Sequence, residues 1–197
     1  MTNFIDLNRE KREKLVFSRP GDFVVFMHNL SGQITVELVA RQVNVMIFGV
    51  YTGAKDDNFM IKTVQHHLAP ETTSNLLIKG VFDDRAKFHY QGLIRIEKSA
   101  QKSHAYQKNQ NLILSPQVFV ESMPFLEILA NDVFCTHGST TGRLNEEQLF
   151  YLKSRGLQEP VAKRLLVAGF ITHVFDEIER RGFGSQTDKL KKSILHF

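Results

Sequence analysis

The sequence predicts a mainly β body followed by a small helical subdomain. Three observations lead there. Residues 21 to about 143 are dense in short runs of β-branched and aromatic residues, such as Asp22-Phe23-Val24-Val25-Phe26 and Gln33-Ile34-Thr35-Val36-Glu37-Leu38. No stretch of helical period interrupts that zone, which argues against alternating strands and helices. From Asn145 onward the pattern changes to helical spacing with recognisable start and stop signals.

The β zone continues through Val43-Asn44-Val45-Met46-Ile47-Phe48, Asn75-Leu76-Leu77-Ile78, Lys87-Phe88-His89-Tyr90 and Leu93-Ile94-Arg95-Ile96. Several of these runs alternate apolar with polar residues, as half-buried strands do. Gly32, Gly49, Gly53, Gly80 and Gly92 read as punctuation between them. No strict repeat is present. Pattern alone leaves a sandwich and a loosely repeating β-helix equally open.

Residues 1–20 form a polar, charged segment in which Arg9 to Lys14 has the potential for one helical turn. Residues 144–181 form the helical subdomain. Asn145 caps a first helix with Gln148 three residues on, and Glu146 and Glu147 suit the positive end of its dipole. Gly156 suits the left-handed position that ends it, and Pro160 suits the first turn of a second helix. In that helix Val161, Leu165, Leu166, Phe170, Val174 and Ile178 form the expected apolar stripe. Gly169, on the same stripe, offers another backbone a close approach. Two short helices bury little on each other, so they are expected to pack on the β body, on a partner, or on both.

The 197 residues suit a single domain; 42% are hydrophobic and 23% charged, which excludes wholesale disorder. The formal net charge of +4 is carried by residues 180–197, with Arg180, Arg181, Lys189, Lys191 and Lys192 against Asp188. No aromatic side chains interleave with these cations as base stacking requires. Residues 182–197 are therefore read as a solvated, partly disordered basic tail, with no nucleic-acid or membrane partner. The single cysteine, Cys135, excludes a disulfide within the chain and fits a reducing compartment. No signal peptide or apolar run of spanning length is evident, and a cytoplasmic protein is expected.

Four stretches carry a family resemblance. They are His67-Leu68-Ala69-Pro70-Glu71-Thr72-Thr73-Ser74; Phe88-His89-Tyr90-Gln91-Gly92-Leu93-Ile94-Arg95-Ile96; Asp132-Val133-Phe134-Cys135-Thr136-His137-Gly138-Ser139-Thr140-Thr141-Gly142 after Pro124-Phe125-Leu126-Glu127-Ile128; and Glu146-Glu147-Gln148-Leu149-Phe150-Tyr151-Leu152-Lys153-Ser154-Arg155-Gly156-Leu157. In order and spacing they resemble the core and C-terminal signature of the SufB/SufD family of iron–sulfur cluster assembly scaffolds, and SufD more than SufB. The resemblance implies a right-handed parallel β-helix core over residues 21–143, C-terminal helices that dock a SufC-type ATPase, and pairing with a SufB-like subunit or with a second copy. It implies a non-catalytic scaffold, with no stably bound cofactor and at most a transient iron–sulfur cluster shared with the partner. Family members carry a long region ahead of this core, so the chain resembles a shortened member. Where SufB proteins place a cysteine before the Pro124-like proline, this chain has Val118, which offers no thiolate for iron.

His137 matches a family histidine at the pairing surface, and neutral imidazole is a competent iron ligand. Cys135 lies two residues earlier, on the same side of a strand. Both are candidate cluster ligands; the competing roles are a histidine bonded to a carbonyl and a buried apolar thiol. Phe150, Tyr151, Leu157, Leu165 and Phe170 are the candidate ATPase-docking set, against the simpler role of holding the helices on the β body. His66, His67, His89 and His104 lack metal-motif spacing and read as structural or surface residues. Gly49 and Gly53 lack the Lys-Ser/Thr of a phosphate loop, and Asp56-Asp57-Asn58 reads as a polar turn. Two further readings are a paralogue that only homodimerises and a polysaccharide-active β-helix protein. The second is disfavoured by the scatter of the carboxylates.

Overall fold

A computed structural model describes residues 3–195. The ends of the polar N-terminal segment and of the basic tail, residues 1–2 and 196–197, lie outside the described residues. Among the described residues eleven strands alternate between two parallel sheets. Sheet A runs β1 (Asn3–Asp6), β3 (Gly21–His28), β5 (Val43–Gly53), β7 (Thr73–Phe82), β9 (His104–Ile113) and β11 (Phe134–Arg143). Sheet B runs β2 (Lys14–Phe17), β4 (Gly32–Leu38), β6 (Asn58–His67), β8 (Lys87–Ile96) and β10 (Phe119–Ile128). Consecutive strands fall in different sheets, so the chain coils as a parallel β-solenoid, the choice between sandwich and β-helix that pattern alone leaves open. Asn44, Thr73, His104 and Phe134 stand in register on successive coils.

The segment 1–20 is more structured than its charge suggests. It supplies β1, β2 and the one-turn α1 (Leu7–Glu10), and Leu7, Leu15 and Phe17 are buried. Alternation explains this, because Lys14 and Val16 face out while Leu15 and Phe17 face in. Asn8 ends the pairing of β1 by accepting from the His28 amide at 2.8 Å and donating to its carbonyl.

Four glycines expected at turns lie within strands instead: Gly49, Gly53, Gly80 and Gly92. Close packing, not turn geometry, requires them. A Cβ at Gly80 would overlap the Phe82 ring and sit 2.7 Å from Asn111 Oδ1, and one at Gly92 would overlap the Gln107 amide and the Tyr90 hydroxyl. The corners of the coils use non-glycine residues in the left-handed region: Gln42, Glu71 and Lys102 on one side, Lys55 and Asp84 on the other. On the first side the amides bond the next coil, as in Gln42 to the Glu71 carbonyl (3.1 Å) and Glu71 to the Gln101 carbonyl (2.9 Å).

Strands β3 and β5 are apolar on both faces, as strands of buried parallel sheets are. Val25, Met27, Val45 and Ile47 fill the solenoid interior. Val24, Phe26, Phe48 and Val50 point out and receive the helices. Helix α2 (Glu146–Ser154) begins as expected, with Asn145 Oδ1 accepting from the Gln148 amide at 2.9 Å, and Gly156 follows it at φ +89°. Helix α3 (Glu159–Glu179) packs on sheet A through Ile171, Val174, Phe175 and Ile178, each worth about 1.5–3 kcal/mol of burial.

The buried stripe therefore differs from the expected one. Val174 and Ile178 belong to it, but Leu165 is exposed and Gly169 has nothing within 4 Å. Helix α3 is apolar on more than one side, so spacing alone cannot select the face that meets the sheet. The basic tail forms helix α4 (Gly184–Leu195), on which Ile194 is buried in the same cluster and the lysines face outward or lie partly covered. Among the described residues no helix is long and apolar enough to cross a membrane.

Candidate functional site

Each sheet ends on an open edge after the last coil. Among the described residues β11 pairs only with β9, and β10 only with β8. Strand alternation places Cys135 and His137 of β11 on the inward face, opposite Ala105 and Gln107. Cys135 is half-buried against a small cluster of Ile94, Ile96, Ala100, Ala105 and Ala130. Burial pushes its thiol up to about 11, so it is protonated at neutral pH. His137 is exposed. The structure thus brings the two candidates to one face of one strand, in different environments. Among the described residues no group of three His, Cys, Asp or Glu side chains could hold a metal ion. Cys135 and His137 are two donors on one strand face, fewer than the four an iron–sulfur cluster takes.

The interior leading to this edge is polar, which the sequence reading missed. Gln107, Asn109 and Asn111 of β9 point inward and are buried. Asn111 Nδ2 donates to Asn109 Oδ1 at 2.7 Å, and Ser139 of β11 bonds Ser122 of β10 at 2.9 Å. Gln65 Oε1 and Gln107 Oε1 are buried without a partner. The signal was present in His104-Ala105-Tyr106-Gln107-Lys108-Asn109-Gln110-Asn111, which is hydrophilic on both faces of the strand. Val118 is partly buried against the apolar interior of earlier coils.

Further inside lies His67, fully buried. Its Nδ1 is 2.7 Å from Thr72 Oγ1 and its Nε2 is 2.7 Å from Ser74 Oγ. Gln65 Nε2 donates to Ser74 Oγ at 2.7 Å, and Thr72 Oγ1 donates to the Ala69 carbonyl at 3.1 Å. These partners assign the Nδ1–H tautomer: Nδ1–H donates to Thr72, and the Ser74 hydroxyl donates to Nε2. Burial first, and the neighbouring His66 second, push the imidazole down to about 4, so it is neutral. His67 is structural, and it ties the corner Leu68–Thr73 to the strands on either side. His66 and His89 are surface partners of Glu97 (2.9 Å) and Glu121 (3.1 Å), while His104 lies beside Phe134. Asp56 makes a two-point bond with Arg85 at 2.7 and 2.8 Å in a turn.

The candidate docking set divides. Phe150 (74% exposed), Tyr151 (56%) and Leu165 (50%) stand in solvent, and α2 buries no residue at all. Leu157 is half-buried. Phe170 packs against sheet A; Lys79 Nζ lies 4.3 Å from its ring centre and donates to its carbonyl at 2.8 Å. Phe170 therefore helps to hold α3 on the solenoid. β10 adds Phe119, Met123, Phe125, Leu126 and Ile128 to the exposed apolar surface, all at the open edge of sheet B.

Fold and site define a parallel β-solenoid protein with a docked helical subdomain and a Cys-x-His pair on its open last coil. The chain belongs to the SufBD core family: the family model described as "SUF system FeS cluster assembly, SufBD core domain" matches residues 24–170. The iron–sulfur cluster assembly protein SufD of Escherichia coli is 30% identical over 162 residues, covering 82% of this chain and 37% of that protein. SufD of Bacillus subtilis is 32% identical over 134 residues, covering 68% of this chain and 30% of that protein. A SufBD family protein of Synechocystis is 31% identical over 151 residues, covering 77% and 32%. The chain spans about a third of the length of these curated relatives.

Proposed function

We propose that the chain is a non-catalytic scaffold subunit in iron–sulfur cluster assembly, SufD-like, that recruits a SufC-type ATPase and pairs with a SufB-like subunit. The observation that carries this reading is the last coil. It leaves two parallel edges unpaired, lines one with Cys135 and His137, and sets exposed apolar residues along the other. Unpaired edges of this kind accept strands from another chain. A partner seated there covers β10 and brings its own thiolates beside His137, completing a ligand set for a transient cluster that neither chain holds alone. Protonated Cys135 loses its proton when iron approaches, as metal-bound thiols do.

Helix α2 and the outer side of α3 serve the ATPase. Phe150, Tyr151 and Leu165 each leave half or more of their surface in solvent, and that surface is available to a partner. The reading places the protein in the cytoplasm, free of nucleic acid and membrane. The same open edge also suits a second copy, which keeps a purely homodimeric role as the alternative.

Co-expression with the SufC-type and SufB-like proteins of the same organism, followed by affinity purification and sizing, tests the proposal. A complex that loses the ATPase with Phe150→Asp, and loses iron with His137→Ala, supports it. A folded homodimer that retains neither partner would overturn it.

A further inference from the structure

An apolar cavity lies apart from the inward face of the last coil and from the exposed helix α2. It lies between the first half of α3 and the corner loops of sheet A, and it encloses about 370 Å³. That is at the lower end of the ~300–1,000 Å³ typical of small-molecule sites. Its walls are aliphatic: Val81, Leu114, Leu144, Val167, Ile171 and Ile194. Charge is confined to Lys163 and Arg164 of α3 and to Asp83.

The two cations differ. Lys163 Nζ is held by Glu159 at 2.8 Å, whereas no carboxylate among the described residues pairs with Arg164. Asp83 is turned to its own chain, its carboxylate accepting the Asp84 amide at 2.8 Å. The cavity also has a packing consequence. The second half of α3 is anchored by Ile171, Val174, Phe175 and Ile178, but in the first half only Ala162 is buried. The helix therefore spans an open-sided hollow that its own side chains do not fill, with solvent reaching it at Leu114 and Arg164.

We propose that this cavity binds a small amphiphilic anion, a medium-chain aliphatic carboxylate, with its alkyl chain among the six aliphatic side chains and its carboxylate on Arg164. An aliphatic lining with one uncommitted guanidinium at its edge matches that chemistry. A cationic or purely polar ligand would leave Arg164 unpaired and the lining wet. Binding braces the first half of α3 against the solenoid.

The test is calorimetric titration of the full chain with sodium decanoate, alongside the shorter and longer carboxylates, decanol and decyltrimethylammonium. Saturable one-to-one binding is expected. Affinity should rise about fifteenfold for each two added carbons until the cavity is full, then level off. Decanol should bind more weakly, decyltrimethylammonium not at all, and Arg164→Glu should weaken decanoate about tenfold. Ala168→Phe, which fills the cavity, should abolish binding while the chain still melts cooperatively. Because that variant could fail to fold, the chain-length limit in the unmodified protein stands as an independent readout. No saturable binding, no length limit, or equal binding of decanol would overturn the proposal. So would loss of ATPase co-purification in Ala168→Phe without any decanoate binding to the unmodified chain, since the occupant would then be a partner's side chain.

Discussion

Acidification should weaken the fold through His67, by an amount the structure sets. The imidazole is fully buried between Thr72 and Ser74, and burial lowers its pKa from 6.5 to about 4. The unfolded chain therefore binds a proton on this residue at a higher pH than the folded chain does. Stability is fully present above pH 6.5 and declines as pH falls towards 4, where the folded imidazole also titrates. Linkage between those two values gives a loss of about 2 kcal/mol between pH 8 and pH 5, and about 3 kcal/mol by pH 4. The molecular reason is local: a proton on Nε2 removes the acceptor of the Ser74 hydroxyl and buries a charge with no carboxylate beside it. Urea unfolding at a series of pH values measures the slope. His67→Gln, which does not titrate, supplies the reference, because His28 and the carboxylates contribute to both proteins. The variant should be less stable at pH 8, and the gap should shrink by about 2 kcal/mol at pH 5. Parallel pH profiles for the two proteins would show that His67 is not the group that titrates.

Other consequences are equally concrete. Gly80→Ala drives a Cβ into the Phe82 ring and to 2.7 Å from Asn111 Oδ1 and should cost about 1–3 kcal/mol in urea unfolding; an unchanged midpoint would mean that the interior yields. Lys79 is buried without a carboxylate, and burial, with Lys108 nearby, lowers it to about 8. Stability should therefore rise between pH 8 and 10.5 as the folded amine sheds its proton first, and Lys79→Met should abolish that rise. With its thiol raised to about 11, Cys135 should react with iodoacetamide at pH 8 roughly twentyfold more slowly than a free cysteine, and reaction at the free rate would count against its burial. Phe150→Asp should leave the melting temperature unchanged, whereas Phe170→Asp should lower it, so of the two only the first is a clean test of the proposed ATPase docking.

The class of fold was legible because its evidence is local. Runs such as Val43–Phe48 and the capped start at Asn145 announce strands and helices without knowledge of neighbours. The solenoid itself came through the family resemblance, since coils of unequal length hide the repeat from any fixed period. What stayed hidden depends on which residues meet. Gly80 and Gly92 read as turns because a sequence cannot show that Phe82, Tyr90 and Gln107 occupy the space where a Cβ would go. The α3 face was misassigned for the same reason, since the helix offers more than one apolar side and sheet A selects the side bearing Ile171 and Phe175. The N-terminal segment looked like solvent-exposed charge because its apolar residues are few, but Leu7, Leu15 and Phe17 all fall on the inward side.

The candidate site was legible as a motif and not as an environment. His67 and His137 both stand in family-like stretches, and both lie on inward faces of the solenoid. Their chemistry diverges because of position along the coil axis. His67 is enclosed by coils on either side, with both ring nitrogens engaged, which leaves no lone pair for a metal. His137 lies on the final strand, where no further coil covers it, and its neighbours Gln107 and Ser139 are polar rather than apolar. A recurring motif residue is thus structural where the stack is closed and available where the stack ends. By that argument, adding a coil-like partner strand to β11 should do more than bury surface. It should convert His137 from a solvated imidazole into an enclosed one with a fixed tautomer, as enclosure does for His67. Slower modification of His137 by diethyl pyrocarbonate on complex formation would report that change directly, and an unchanged rate would place the partner elsewhere on the surface.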